Sequence, residues 1–413
     1  MRSVLTRPIV PMSTLSTRGT MSTVQLRYNF RLDPTPGQRM ALARAFGCAR
    51  TVFNDGLRIR REAHAAGLPH IRDTDLQKQV ITTAKRTPER AWLAEVSSVV
   101  LVQALADLHT AYRNFFASLS GERKGRNVAP PRFRSRKDNR QTIRLTRNGF
   151  RLRPDGRLNI ARIGDVRVRW SRGLPSDPSS VTIVKDAAGR YFASFVVQTS
   201  DEPLPDTTGE VGIDLGLTHF AVLSDGRKVT APKFLRRAER KLRRAQQNLS
   251  RKARGSGNRE KAVVKVARAH ARVADARRDH HHKLSTALIR ENQAVYVEDL
   301  CVNGLARTRL AKSVHDAGWS AFVNMLEYKA ARYGRVFQRI DRMFPSSQLC
   351  SACGSRDGPK PLAVRTWTCR DCGTVHDRDI NAARNIRAEA QHMVAAGRAE
   401  TPNACGGPVR PSA

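Results

Sequence analysis

From Val24 to Phe30 the side chains alternate between apolar and polar, the period of a strand, and the cluster Asp33-Pro34-Thr35-Pro36-Gly37 ends the run. The period then changes. Leu42, Phe46, Ala49 and Phe53 recur at helical spacing, and Leu101, Leu105 and Leu108 do so inside a second apolar-periodic stretch from Leu93 to Phe116. Residues 33–128 are therefore expected to form a small helical module. Residues 121–140 are basic and turn-rich, with Pro130-Pro131, and read as a linker or a nucleic-acid-facing loop. Short alternating runs return between Thr142 and Val197. Val181 and Ile183 on one side of Asp186-Ala-Ala-Gly189, and Tyr191, Ala193, Phe195 and Val197 on the other, predict a β-hairpin in a β-rich module over 129–205. An acidic, Pro-containing linker, Asp201 to Asp206, closes that module.

Further along, residues 210–226 read as a hairpin and Lys233 to Lys283 as a long helical hairpin. Ala294 to Leu300 reads as a short strand, Trp319 to Tyr333 as an amphipathic helix, and a last helix starts near Asp379. Residues 1–21 carry no acid, and Met12 and Met21 offer alternative starts, so this segment reads as a disordered extension. Residues 397–413 read as a disordered Pro- and Gly-rich tail. No stretch approaches the roughly 20 apolar residues of a membrane span, so the expected setting is the cytoplasm.

Charge narrows the function. Lys and Arg total 74 of 413 residues against 36 Asp and Glu, a formal net charge of +38. Self-repulsion on that scale calls for a polyanion, and nucleic acid is the expected partner. The helical hairpin concentrates the excess, with eighteen Lys or Arg against four acids between 233 and 283. Arg236, Arg237, Arg240, Lys241, Arg243, Arg244, Arg251, Lys252 and Arg254 are the candidate nucleic-acid contacts; a merely solvated helix face is the plainer reading.

Cys350-Ser-Ala-Cys353 and Cys369-Arg-Asp-Cys372 are two C-x-x-C pairs fifteen residues apart. Each pair on a tight turn aims two thiolates at one ion, and two such turns complete a closed tetrahedral site for a structural zinc. Gly354 and Gly373 follow the pairs, where a turned backbone favours glycine.

Three acidic segments are candidates for chemistry. In Glu210-Val-Gly-Ile-Asp-Leu-Gly216, Asp214 sits inside an apolar strand, where a carboxylate is costly without a partner. Gly212 and Gly216 share its face and are expected to clear space around it. Val295-Tyr-Val-Glu-Asp-Leu300 ends a second strand in Glu298 and Asp299, which point to opposite faces, so one of the two can join Asp214. Asp377 and Asp379 stand at the start of the last helix, where one is expected to be an N-cap. Three carboxylates from separate elements could hold hard divalent ions such as Mg²⁺ and activate water against a phosphodiester.

In order along the chain, these residues resemble the TnpB (OrfB) family of bacterial insertion sequences, relatives of the miniature type V CRISPR effectors. The likeness runs through Tyr28 to Gln38, Phe46-Gly and Val52-Phe-Asn54, Pro131-Arg-Phe133 and Arg190 to Phe195. It continues through Gly212-Ile-Asp-Leu-Gly216, Val297-Glu-Asp-Leu300, Trp319, Leu326 to Lys329, Pro345 to Gln348, the cysteine pairs and Asp377 to Ala383. It spans about residues 22–390. The resemblance implies an RNase H-like RuvC nuclease domain over 206–346 and 376–396, with a zinc ribbon, 347–375, inserted before its last helix. It implies a wedge β-barrel built from 22–32 and 129–205 and interrupted by the helical recognition module. It assigns catalysis and Mg²⁺ binding to Asp214, Glu298 and Asp379, over Asp299 and Asp377. The implied activity is cleavage of double-stranded DNA beside a short target-adjacent motif, directed by a noncoding guide RNA from the transposon end. His280-His-His282 departs from the pattern, and a packing or nucleic-acid role is expected there rather than a second metal cluster. The rival readings are a nuclease-inactive RNA-guided repressor, a transposase and a guide-free zinc-ribbon DNA binder.

Overall fold

The computed structural model of the chain describes residues 23–397 apart from residues 124, 139, 201 and 362; the expected extension over 1–21 and the tail from 398 lie outside them. Strand β1 (Thr23–Asp33) stops at Pro34, and Thr35 caps helix α1 (Pro36–Ala65). The Thr35 hydroxyl accepts from the Gln38 N–H while the Gln38 side chain accepts from the Thr35 N–H, a reciprocal capping box. Leu42, Phe46, Ala49 and Phe53 are all buried, as their spacing predicts. A short helix, α2 (Asp73–Gln77), follows. Helix α3 (Ser98–Leu119) begins later than the apolar period indicates. Ala91–Glu95 is a separate 3₁₀ segment, and Val96 is extended. Leu93 is buried in the same core as the α3 stripe, so the apolar pattern continues across a break in the helix.

Six strands follow: β2 (Gln141–Thr146), β3 (Phe150–Leu152), β4 (Leu158–Ile160), β5 (Gly164–Arg169), β6 (Ser180–Lys185) and β7 (Tyr191–Ser200). They form a seven-stranded sheet of order β2-β6-β7-β1-β5-β4-β3. The first strand of the chain lies in its middle, paired with β7 from Thr23↔Ser200 to Leu32↔Tyr191 and with β5 through Arg31↔Arg169. The sheet curls into a nearly closed barrel whose edge strands β2 and β3 are joined by the turn Arg147–Gly149. Phe30, Phe195 and Val166 of the barrel share one continuous core with Phe46, Leu101 and Leu105 of the helices.

A second sheet begins with the hairpin β8 (Glu210–Asp214) and β9 (His219–Leu223), extended by β10 (Lys228–Thr230). Two long helices follow, α4 (Phe234–Ser250) and α5 (Gly257–Glu291), and then strand β11 (Ala294–Glu298). After α6 (Val302–Leu305), α7 (Ala311–Ala317) and α8 (Trp319–Arg332), strand β12 (Val336–Ile340) completes an order of β10-β9-β8-β11-β12. Strands β8, β11 and β12 are parallel, whereas β9 and β10 run antiparallel to their neighbours. Val211, Ile213 and Val297 face one side of this sheet with Leu288 of α5 and Phe322 of α8. Tyr296 and Ile340 face the other side with Ile386 and Ala390 of the last helix, α9 (Arg378–Ala395). Between β12 and α9 the chain forms a small cysteine-bearing segment with a two-stranded ribbon, β13 (Thr366–Thr368) and β14 (Val375–Asp377). The fold is thus α/β, with one nearly closed barrel and one layered sheet.

Candidate active site

Asp214 and Glu298 end parallel neighbours. Strands β8 and β11 are in register from Ala294↔Glu210 to Val297↔Ile213, so the residue after each last pair is a carboxylate. Asp379 enters from α9, which packs across the same end of the sheet. The three side chains line one cleft of ≈ 370 Å³ together with Arg342, Arg365 and Arg378. Asp299 and Asp377 have other partners. Asp299 is buried just past the end of β11 and accepts from Arg342 at 2.7 Å. Asp377 is the N-cap of α9, accepting from the N–H groups of Asp379 and Ile380 at 3.1 Å each.

The glycine beside Asp214 has a different task from the one expected. A Cβ on Gly212 would stand 2.2 Å from the carbonyl oxygen of Ala383 and 2.7 Å from the Arg387 nitrogen. Gly212 therefore admits the backbone of α9 against β8 rather than leaving room around the carboxylate. The close approach brings Asp379 to the cleft.

The electrostatics are those of a site short of positive charge. Burial, reinforced by the charges of Glu298 and Asp379 and opposed by Arg378, pushes the Asp214 carboxyl up to about 7. Burial, with the charge of Asp299, pushes Glu298 up to about 7 as well. Burial also acts on Asp377, but Lys228 and two helix N–H groups outweigh it and hold that carboxyl below its ordinary range. An all-oxygen donor set whose charges resist coexisting suits a hard divalent cation. Arg365 lies 3.5 Å from Asp379 and supplies part of the missing charge.

The four cysteines gather as their spacing predicts. All four Sγ atoms lie within 4.8 Å of one another. Cys350 and Cys372 are 3.6 Å apart, and Cys353 and Cys369 are 3.7 Å apart. Thiolates around tetrahedral zinc at about 2.3 Å should be roughly 3.8 Å apart, so the quartet fits that ion. Gly354 and Gly373 take φ of +78° and +69°, the left-handed conformation that closes each knuckle. Buried His376 places Nε2 3.0 Å from the Cys350 sulfur, a contact with no sequence-spacing signal. Asn381 of α9 clamps the first knuckle: its amide donates to the Leu349 carbonyl at 2.7 Å and its oxygen accepts from the Ser351 N–H at 2.8 Å.

Helix α4 has Leu242 as its buried residue and presents the candidate basic side chains outward. Arg236, Arg237, Arg240, Lys241, Arg243, Arg244, Arg251 and Arg254 are exposed and Lys252 is half-buried. Arg236 donates to the Ser313 hydroxyl, and Arg243 pairs with Glu239. The triple histidine is partly core. His281 is buried, stacks on Phe220 at 5.3 Å and contacts the Ala317 carbonyl at 2.9 Å. Among the described residues, the cysteine quartet alone brings three or more ligand atoms within 4.8 Å of one another; neither the histidines nor the three carboxylates do so. No helix of the described residues is long and apolar enough to cross a membrane.

Arg342, Arg365 and Arg378 were not singled out by sequence reasoning. Arg378 lies within the Asp377–Ala383 motif, whereas Arg342 and Arg365 belong to no pattern that marks them.

Comparison with known proteins follows this layout. A family model described as "Probable transposase" matches residues 194–309, a "Cas12f1-like, TNB domain" matches 319–386, and a "Helix-turn-helix domain" of the same OrfB group matches 21–68. A "Putative RNA-guided DNA endonuclease" of Streptomyces pristinaespiralis is 46% identical over 95% of this chain and 93% of its own length. The "Putative RNA-guided DNA endonuclease InsQ" of Escherichia coli K12 is 30% identical over 90% of this chain and 93% of its own. Among solved structures, a Cas12f1–sgRNA–target DNA complex aligns with TM-score 0.47 and 11% identity, covering 88% of this chain and 99% of that one.

Proposed function

Because the chain belongs to the TnpB (OrfB) family, we propose that it is an RNA-guided endonuclease that cuts double-stranded DNA beside a short target-adjacent motif, using Asp214, Glu298 and Asp379. The observation that carries the reading is the convergence of these three carboxylates, from β8, β11 and α9, into one arginine-lined cleft. The strand order β10-β9-β8-β11-β12, with its antiparallel and parallel halves, supports an RNase H-like, RuvC-type domain. The cysteine knuckles support a zinc ribbon inserted before the last helix.

Bound at this cleft, Mg²⁺ would supply a metal-activated water and charge neutralisation for phosphodiester hydrolysis. The chain's own residues set the stage for it. Asp214 and Glu298 lose their protons when a cation offsets their mutual repulsion. Arg342, Arg365 and Arg378 ring the same cleft and hold the scissile phosphate as charge-assisted donors. Asp377 stays outside this chemistry, fixing the start of α9 so that Asp379 is aimed. The exposed basic face of α4 tracks the nucleic-acid backbone.

The test is to express the protein with its flanking transposon sequence, extract and sequence the nucleic acid that copurifies, and offer the complex Mg²⁺ and DNA that matches the RNA beside a randomised flank. Bound RNA with cutting confined to matched DNA and one flank motif is the expected result. Bound RNA without cutting would instead identify a guided repressor, and no specific RNA would identify a guide-free DNA binder or a transposase.

A further inference from the structure

Resting on the reading of Asp214, Glu298 and Asp379 as a nuclease site, we propose that the separate cavity beside the β8–β9 turn receives one unstacked nucleotide of the DNA strand being cut. The cavity measures ≈ 320 Å³, the small end of ligand-binding pockets and a size for one nucleotide rather than a duplex. Its wall includes Gly216, whose backbone is within about 7 Å of that of Asp214 along the chain.

The lining has two chemistries, and a nucleotide answers both. Phe234 and His280 give aromatic surface, their rings meeting edge-on at 5.9 Å, and the buried ring of Phe220 backs His280 at 5.6 Å. Such rings stack on a base without regard to sequence. His280 lines the cavity with its ring, while its Nε2 atom is buried within the protein. Burial holds the His280 ring below its ordinary pKa, so it is uncharged at neutral pH and presents an aromatic wall rather than a cation. Lys233 and Arg236 stand on the rim, where a phosphate attached to the base would lie.

The rim is held in place by contacts that leave its cations without a carboxylate partner on their side chains among the described residues, Arg236 donating to the neutral Ser313 hydroxyl. Lys233 takes φ +49°, an uncommon conformation for a side-chain-bearing residue. The turn is fixed by buried Asp316, whose carboxylate accepts from the N–H groups of Leu235 and Arg236 and pairs with Arg277. That carboxylate is therefore satisfied and does not repel a phosphate at full strength. Of the triple histidine, His280 and His281 both line the cavity, and His281 also packs into the core.

The test uses the full-length complex with its guide RNA, matched DNA and Mg²⁺, with a single abasic site walked through the region of the cut. At one position, loss of the base should lower kcat/KM about tenfold. Phe234→Ala should lower cutting of intact DNA by a similar factor and remove the extra sensitivity at that position, while Phe234→Tyr restores both. His280→Gln, which removes the second aromatic wall, should also blunt that sensitivity and serves if Phe234→Ala fails to fold. Cutting by the unmutated complex that ignores abasic sites throughout would overturn the proposal and leave the nuclease reading standing. So would a well-folded Phe234→Ala protein that keeps the full positional effect. Failure of the unmutated complex to cut any substrate would overturn the nuclease reading, and the proposed ligand with it.

Discussion

The guanidinium of Arg365, on the cysteine-bearing segment, lies 3.5 Å from the carboxylate of Asp379, on the helix that follows it. The Arg378 N–H donates to the Arg365 carbonyl at 2.8 Å, and Asn381 ties α9 to both Leu349 and Ser351. The cysteine knuckles and the carboxylate cleft therefore share a wall, and the metal expected in one should govern the geometry of the other. Removing zinc with a chelator should abolish DNA cutting even in saturating Mg²⁺, and added Zn²⁺ should restore it. Cutting assays before and after chelation, with zinc quantified per chain, check this; full activity in a zinc-free protein would sever the link.

Gly212 makes a second, purely steric prediction. A methyl group there would overlap the Ala383 carbonyl at 2.2 Å, and that atom is helix backbone rather than a flexible side chain. Gly212→Ala should destabilise the protein by about 1–3 kcal/mol, the usual range for overpacking, and should lower cutting by displacing Asp379. Denaturant unfolding measures the first effect. A variant as stable and active as the unmutated protein would show that α9 does not need this close approach.

These two relationships mark where sequence reading succeeds and where it stops. Asp214 was legible because a carboxylate in an apolar strand needs an explanation, and Cys350, Cys353, Cys369 and Cys372 because their spacing matches one coordination geometry. The stripe through Leu42, Phe46, Ala49 and Phe53 was legible because a helix buries one face. Arg365 was not, since one arginine among so many carries no local pattern. Nor was the role of Gly212, which depends on helix residues Ala383 and Arg387, far away in the chain. The break before Ser98 escaped notice because Leu93 is buried on either description.

The cleft should make stability depend on pH in a metal-sensitive way. Asp214 and Glu298 titrate near 7 in the folded protein, against 3.8 and 4.5 ordinarily. Between those values the folded state binds more protons than the unfolded one, so without Mg²⁺ stability should fall as pH rises from about 4 to 7. Mg²⁺ binds the deprotonated form, so its stabilising effect should grow over the same window, and cutting should rise with it. Melting temperatures from pH 5 to 8, with and without Mg²⁺, test this. A Mg²⁺ effect that is flat with pH would contradict the assigned titrations.

On α4, Arg240, Lys241 and Arg244 project from a helix with one buried residue. If all three contact phosphates, replacing them with Ala should flatten the slope of log affinity against log salt by roughly 0.9 per residue lost. Binding measured across a salt series gives the slope directly. An unchanged slope would mean that this face is solvated and idle.

The most direct test of the carboxylate assignment is the cutting rate of the RNA-loaded complex on matched DNA when Asp214 is replaced by Asn, a change that keeps the shape and removes the charge. The expected result is loss of cutting with RNA and DNA binding retained. Cutting at the unmutated rate would remove Asp214 from the chemistry and contradict the proposed site.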